Sequence, residues 1–261
     1  MDIILKTKDL KVSYKEKVII DGIDLELEKG KIYSIIGPNG CGKTTLLKSL
    51  TRSIKPTSGK IYLENQDIHK MKTKEIAKRI GVLSQTSSTM SDITVRELIG
   101  YGRYSHKKWW EGNNSDDNKI VDWAIERTNL KNLEHRKINT LSGGERQRAW
   151  IAMSIAQKPK MLFLDEPTTY LDISHQLEIM ELISSLNKEE KITILMVLHD
   201  INHACRYSDE LIVLKDKKIY EKGNPWQILE GNVLEDVFRV EAEISKDRDS
   251  QKPIFYAKKV I

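Results

Sequence analysis

The chain has 261 residues, 39% hydrophobic and 31% charged, which is the balance of an ordinary globular protein and not of a disordered or membrane-embedded one. Its 43 Lys plus Arg against 38 Asp plus Glu leave a net charge of +5 spread along the chain, so no basic tail or cluster points to a nucleic-acid partner. With only Cys41 and Cys205 there is no disulfide framework to read, a reducing compartment fits, and the length suits one α/β core carrying a lobe.

In chain order, Met1-Asp2-Ile3-Ile4-Leu5-Lys6 lacks a basic n-region and a cleavage site, and nowhere do about 18 apolar residues run together. The expectation is a chain that neither crosses a membrane nor is exported. From Ile3 to about Glu64, Val18-Ile19-Ile20 and Ile23-Asp24-Leu25-Glu26-Leu27 predict half-buried strands broken by turns at Asp21-Gly22 and Lys29-Gly30. Ile32-Tyr33-Ser34-Ile35-Ile36 is a further strand that feeds a glycine-rich loop.

That loop, Gly37-Pro38-Asn39-Gly40-Cys41-Gly42-Lys43-Thr44, matches G-x-x-x-x-G-K-[ST], and the helical run Thr45-Leu46-Leu47-Lys48-Ser49-Leu50 follows at once. Glycines let successive N–H groups point inward, and the helix presents its positive end to the same phosphates. Lys43 supplies a point charge at the β- and γ-phosphates, and the Thr44 hydroxyl suits Mg²⁺. A chance glycine-rich turn is the competing reading, but the strand before and the helix after are the context a phosphate loop requires. Cys41 sits near the helix N-terminus, where a depressed thiol pKa and raised reactivity are expected.

From about Thr86 to Lys158 the periodicity becomes helical, with Val95, Leu98 and Ile99 on one face and Val121, Ala124 and Ile125 on another. Tyr104 to Asn118 reads as a surface loop, in which Trp109-Trp110 is either a contact patch or packing beneath the loop. Leu141-Ser142-Gly143-Gly144-Glu145 then opens the run Arg146 to Met153, with Ser142 as a candidate N-cap and the glycines making a second anion-binding helix terminus.

Met161-Leu162-Phe163-Leu164 is an apolar strand that ends in Asp165-Glu166, the Walker B pattern. Asp165 is placed to hold Mg²⁺ through its water shell, and Glu166 to act as general base on the attacking water. A solvated strand end is the bland alternative. Ile192 to Leu198 is a second buried strand, reached through a crossover helix around Gln176 to Leu186. It ends in His199-Asp200, where His199 reaches a γ-phosphate or serves as an ordinary core or capping histidine. Beyond Gly223, helices near 225–229 and 233–238 and a charged turn over 245–252 form an appendage.

Two phosphate-binding elements about a hundred residues apart in one chain suit a head-to-tail dimer, each nucleotide lying between the loop of one copy and the Ser-Gly-Gly element of the other. Here the chain resembles ATP-binding cassette (ABC) ATPases over nearly its whole length. The resemblance implies a P-loop NTPase α/β core with a mixed sheet, an N-terminal antiparallel β subdomain and an inserted α-helical subdomain. It implies Tyr14 as the aromatic stacked on adenine, and Gly37 to Thr45 as the phosphate cradle. Gln85 becomes a sensor of Mg²⁺ and attacking water, Leu141 to Glu145 the signature motif contacting ATP in trans, Asp172 a dimer-interface aspartate and His199 the switch histidine. Glu166, His199 and Gln85 form the catalytic set, with Thr44, Gln85 and Asp165 around Mg²⁺.

The division expected is 1–85 with 159–222 as core and antiparallel subdomain, 86–158 as helical subdomain and 223–261 as C-terminal appendage. Tyr101-Gly102-Arg103-Tyr104, Leu171-Asp172-Ile173-Ser174-His175-Gln176 and Leu198-His199-Asp200-Ile201-Asn202 look like the ferric-siderophore, haem and cobalamin importer branch. The resemblance thus implies an ATPase, homodimeric on ATP binding and peripheral on the cytoplasmic face of the cell membrane. It would power uptake of iron(III)-siderophore complexes through separate permease subunits fed by an extracytoplasmic binding protein. Haem or cobalamin import is the alternative, as is a non-transport ABC ATPase acting on nucleic acid or the ribosome. A non-hydrolysing regulatory module would lack a catalytic carboxylate or histidine, and this chain lacks neither.

Overall fold

The computed structural model describes residues 2–84, 92–107 and 115–261. It divides into two compact units, residues 1–70 with 193–261 and residues 71–192.

In the first unit, β1 (Ile3–Tyr14), β2 (Lys17–Glu28), β4 (Ser58–Leu63) and β5 (Gln66–Asp67) form an antiparallel sheet in the order β2-β1-β4-β5. Contrary to the expected turn at Asp21-Gly22, β2 is one continuous strand. The pairing slips between Leu10↔Ile23 and Val12↔Ile20, so the Asp-Gly pair is a bulge, with Gly22 at φ 71°. A second slip lies between Thr7 and Leu10. There the buried Thr7 hydroxyl donates to the Ile23 carbonyl at 2.7 Å and accepts from Leu25 N–H at 2.9 Å. The side chain thus replaces ladder bonds that the irregular register loses.

The other sheet of this unit contains β3 (Ile32–Ile36), flanked in parallel by β8 (Thr193–Val197) and β9 (Glu210–Lys215). β10 (Lys218–Gly223) pairs antiparallel with β9, which makes the sheet mixed. Every residue of β3 and β8 is buried, as strands covered on both faces require, and this is why their sequences run apolar without alternation. Helix α1 (Lys43–Leu50) follows β3, and α7 (Ile201–Tyr207) follows β8. Beyond β10 come α8 (Pro225–Glu230), α9 (Val233–Asp236) and a hairpin of β11 (Val240–Lys246) with β12 (Pro253–Val260). The expected helix at 233–238 is two residues shorter, and the charged turn at 245–252 proves to be the tip of a hairpin. Apart from Pro253 no residue of its strands is buried, so there is no buried face whose alternation would stand out in the sequence.

The second unit holds α2 (Thr73–Arg79), β6 (Ile80–Leu83), α3 (Val95–Tyr101), α4 (Ser115–Arg127), α5 (Gly143–Ala156), β7 (Met161–Asp165) and α6 (Ile173–Glu190). β6 and β7 pair in parallel, Ile80 to Leu83 against Met161 to Leu164. Helices α3, α4 and α5 pack on one another, and Val95, Leu98, Ile99, Val121, Ala124 and Ile125 are all buried as their spacing predicts. The surface loop expected over 104–118 ends sooner, because Ser115 already begins α4, with Asp116 and Asp117 in its first turn facing the positive end of the dipole. Arg103, almost fully buried, donates to Asp117 at 2.8 Å and to the Ala156 carbonyl at 2.8 Å, which ties α4 to the last turn of α5.

Thr7→Val keeps the shape and removes both hydrogen bonds at the slipped register. It is expected to cost about 1–3 kcal/mol in a denaturant titration, and a midpoint equal to wild type would show that the hydroxyl contributes nothing.

Candidate functional site

The phosphate-loop residues lie between β3 and α1 in the first unit. Gly42 caps α1 in the left-handed region at φ 107°, and a Cβ there would meet Ile20 Cδ1 at 2.8 Å and the Ile19 carbonyl at 3.0 Å. Only glycine satisfies both the dihedral and the space. Lys43 is the first residue of α1 and is 7% exposed. Its ammonium donates to the carbonyls of Gly37 at 2.8 Å and Pro38 at 3.0 Å, so the loop curls around a positive charge. Asn39 and Gly40 are exposed, while Thr44 and Thr45 sit half-buried on the first turn. Tyr14, at the end of β1, is 50% exposed, an aromatic face left open to contact.

Cys41 departs from expectation. Burial pushes its thiol above the ordinary value, outweighing the opposing pull of Lys43 and of the backbone N–H groups. The sequence shows the helix terminus but not the desolvation, and the latter is larger here. The side chain still lines an open groove of about 520 Å³ that also borders Lys215, Lys217 and Arg239.

In the same unit, β8 delivers His199 to an exposed position immediately before Asp200, which caps α7 by accepting from His203 N–H at 2.9 Å. The histidine therefore precedes the capping residue and does not itself cap.

In the second unit, β7 ends at Asp165, 2% exposed. Glu166 follows with φ at 53°, a left-handed conformation unusual for a glutamate. Glu166 is half-buried, where Asp165 is fully buried, and the Thr169 hydroxyl donates to Glu166 Oε2 at 3.1 Å. Strain of this kind, about 1–3 kcal/mol, is retained where surrounding structure imposes it.

Ser142 caps α5 in a capping box with Glu145: its hydroxyl accepts from Glu145 N–H at 3.3 Å, and its own N–H donates to the Glu145 carboxylate at 2.8 Å. These bonds hold the Glu145 pKa below the ordinary value and turn the carboxylate back onto its own helix. Leu141 is buried. Gly143 and Gly144 occupy the first turn, and a Cβ on Gly144 would land inside the His175 ring. That ring is itself held, Nδ1 lying 2.6 Å from Asp172 Oδ1. Asp172 caps α6 by accepting from His175 N–H at 3.0 Å, and this bond leads the causes that lower its pKa to about 2. Gln147 donates to the Pro167 carbonyl at 2.8 Å and so joins the signature helix to the segment after Glu166. The sequence assigns Gln147 no role, and His175 only a place in the importer-branch wording. The spacing of Ser142 and Glu145 signals the capping box, whereas nothing in the sequence pairs Gly144 with His175. Gln85 and Trp109-Trp110 lie outside the described residues.

The ABC transporter family pattern matches residues 20–169, a span running from β2 through the phosphate loop and signature element to the turn after Glu166. The chain belongs to the ABC transporter family. ABC ATP-binding subunits bind ATP and hydrolyse it to drive transport, and this chain is one of them. It is 45% identical over 250 residues to the iron(3+)-hydroxamate import ATP-binding protein FhuC of Bacillus subtilis, covering 96% of this chain and 93% of that protein. It is 46% identical over 243 residues to the petrobactin import ATP-binding protein FpuD of Bacillus anthracis, covering 93% and 89%. Among solved ABC structures, it is similar to a metal-chelate type transporter in an inward-facing conformation, with a TM-score of 0.85, 26% identity and 99% and 98% of the two chains covered. It is also similar to the cassette MJ0796 solved as a dimer with ADP and Pi, with a TM-score of 0.74, 28% identity and 84% and 98% covered. ABC ATPase domains dimerise and, in importers, work with membrane permeases. Among the described residues no helix is long and apolar enough to cross a membrane.

Iodoacetamide is expected to modify Cys41 well before Cys205, whose burial raises its thiol to about 12. Cys41 labelling should be slow at neutral pH and accelerate as the pH passes the ordinary thiol range. Mass spectrometry that finds rapid labelling at pH 7 would contradict the raised Cys41 value.

Proposed function

We propose that this chain powers the import of iron(III)-siderophore complexes through a separate membrane permease. The observation that supports the ATPase half of this reading most directly is the buried Lys43 ammonium gathered by the loop carbonyls at the start of α1. A positive charge and a helix N-terminus meet there, at a loop whose glycines permit inward N–H groups, as a triphosphate requires. Support for the cargo is the 45–46% identity to hydroxamate and petrobactin import subunits over more than nine-tenths of this chain.

In this reading Tyr14 stacks on adenine and residues 37–45 hold the phosphates. The Thr44 hydroxyl and the Asp165 carboxylate are hard oxygen donors, the chemistry Mg²⁺ takes, with Gln85 as a third polar contributor. Bound Mg²⁺ would neutralise charge on the β- and γ-phosphates. Glu166 takes a proton from the attacking water, and His199 orients on the γ-phosphate. The signature element of one copy meets the ATP of the other. Tyr170 is 97% exposed and Ile173 76%, which suits apolar contact with a second copy beside Asp172. The helical subdomain, 86–158, docks the permease. A groove of about 500 Å³ lined by Arg96, Tyr101, Tyr104 and Lys107 supports that assignment. The assembly sits at the cytoplasmic face of the membrane and receives cargo from an extracytoplasmic binding protein.

Glu166→Gln is expected to retain ATP binding and to lose at least about 100-fold in ATPase turnover; a rate equal to wild type would remove Glu166 as the base. ATP should slow Cys41 alkylation, and equal rates with and without it would place the nucleotide elsewhere. A strain lacking the chain should fail to accumulate radiolabelled ferric siderophores while haem and cobalamin uptake persist. Loss of either of those instead would reassign the cargo.

A further inference from the structure

The C-terminal hairpin has no part in the chemistry so far described, yet it fastens the short helix that follows His199 at both ends. α7 has seven residues, too few for a helix to hold its own position without tertiary contacts. Near its N-terminus the Asn202 amide reads both backbone groups of one β12 residue: Nδ2 donates to the Phe255 carbonyl at 3.2 Å and Oδ1 accepts from Phe255 N–H at 3.0 Å. An amide carries a donor NH2 and an acceptor oxygen side by side on a short stem, so the pair fixes the rotation of α7 as well as its distance from the hairpin. At the other end, Lys252 Nζ donates to the carbonyl of Ser208, the residue that closes α7, at 2.9 Å. A cation at a helix C-terminus also complements the dipole.

The Lys252–Ser208 fastener has a firm footing at each end. The hairpin tip is braced by Asp247, whose N–H donates to the Lys252 carbonyl at 2.9 Å and whose carboxylate accepts from Ser250 N–H at 3.0 Å. On the far side, the buried Ser208 hydroxyl lies 2.7 Å from that of Ser34 on β3, the strand that runs into the phosphate loop. His199 therefore stands between β8 and a helix whose placement the hairpin governs.

We propose that the β11–β12 hairpin is a strap that positions His199 through α7, with Asn202 and Lys252 as its fasteners. Asn202 and Lys252 are positioning residues, and the inference rests on His199 being the residue that meets the γ-phosphate.

The test measures steady-state ATPase kinetics and ATP stoichiometry of the full-length chain. Asn202→Leu, which keeps size and removes both hydrogen bonds, should lower kcat about tenfold with KM for ATP within about twofold and one ATP bound per chain. Lys252→Met should act in the same direction, and Lys252→Arg should restore turnover. The deciding comparison is made in a His199→Ala background, where adding Asn202→Leu should change the residual turnover less than about twofold, because the residue it positions is gone. An equal loss in both backgrounds would mean a general structural lesion and would overturn the proposal, as would wild-type kcat in Asn202→Leu. Wild-type turnover in His199→Ala alone would instead strike the reading of His199, an outcome distinguishable from the other two.

Discussion

A positive charge buried at the junction of a strand and a helix is the constraint that orders the first unit. The Lys43 ammonium is costly to remove from water unless oxygen atoms surround it, and the loop supplies them from its own carbonyls. For those carbonyls to converge, the chain must reverse over a few residues and enter α1 from a left-handed residue, which is what Gly42 permits. The loop in turn needs a rigid base, and β3 provides it as a strand buried between β8 and β9. The same sheet carries His199 at the end of β8, so the strand that supports the loop and the strand that bears the histidine are direct neighbours.

The second unit solves a different problem, how to hold a helix N-terminus and two neighbouring carboxylates, Asp165 buried and Glu166 half-buried, in fixed places. Its devices are local and interlocked. Glu145 closes the capping box on Ser142, His175 fills the space that Gly144 leaves, Asp172 holds His175, and Gln147 reaches the backbone after Glu166. Each is a modest interaction alone. Together they tie the signature glycines to the segment that carries Glu166, so that in the proposed function two elements acting on different nucleotides of a dimer are joined within one chain.

Much of the site was readable before the structure because its motifs are contiguous and carry their context with them. The phosphate loop has a strand before it and a helix after it, and Asp165-Glu166 closes a run of buried residues. Short-range chemistry was equally legible: the Ser142 cap, and the buried faces at Val95, Leu98 and Ile99 and at Val121, Ala124 and Ile125. Expectation failed where two terms of opposite sign compete or where partners are distant in sequence. Cys41 carries the helix-terminus signal that lowers a thiol pKa, and burial by the surrounding fold reverses it. Asp21-Gly22 has the composition of a turn, and long-range pairing with β1 converts it into a bulge.

By itself, then, the sequence determined the family, the phosphate loop, the two carboxylates and the helical periodicity, since each is written in neighbouring residues whose backbone preferences and side-chain chemistry act over a few positions. The tertiary structure alone decided which side chains brace them. The contacts of Gly144 with His175, of Lys252 with Ser208 and of Asn202 with Phe255 span 31, 44 and 53 positions, and no local propensity encodes contacts that exist only once the chain has closed on itself.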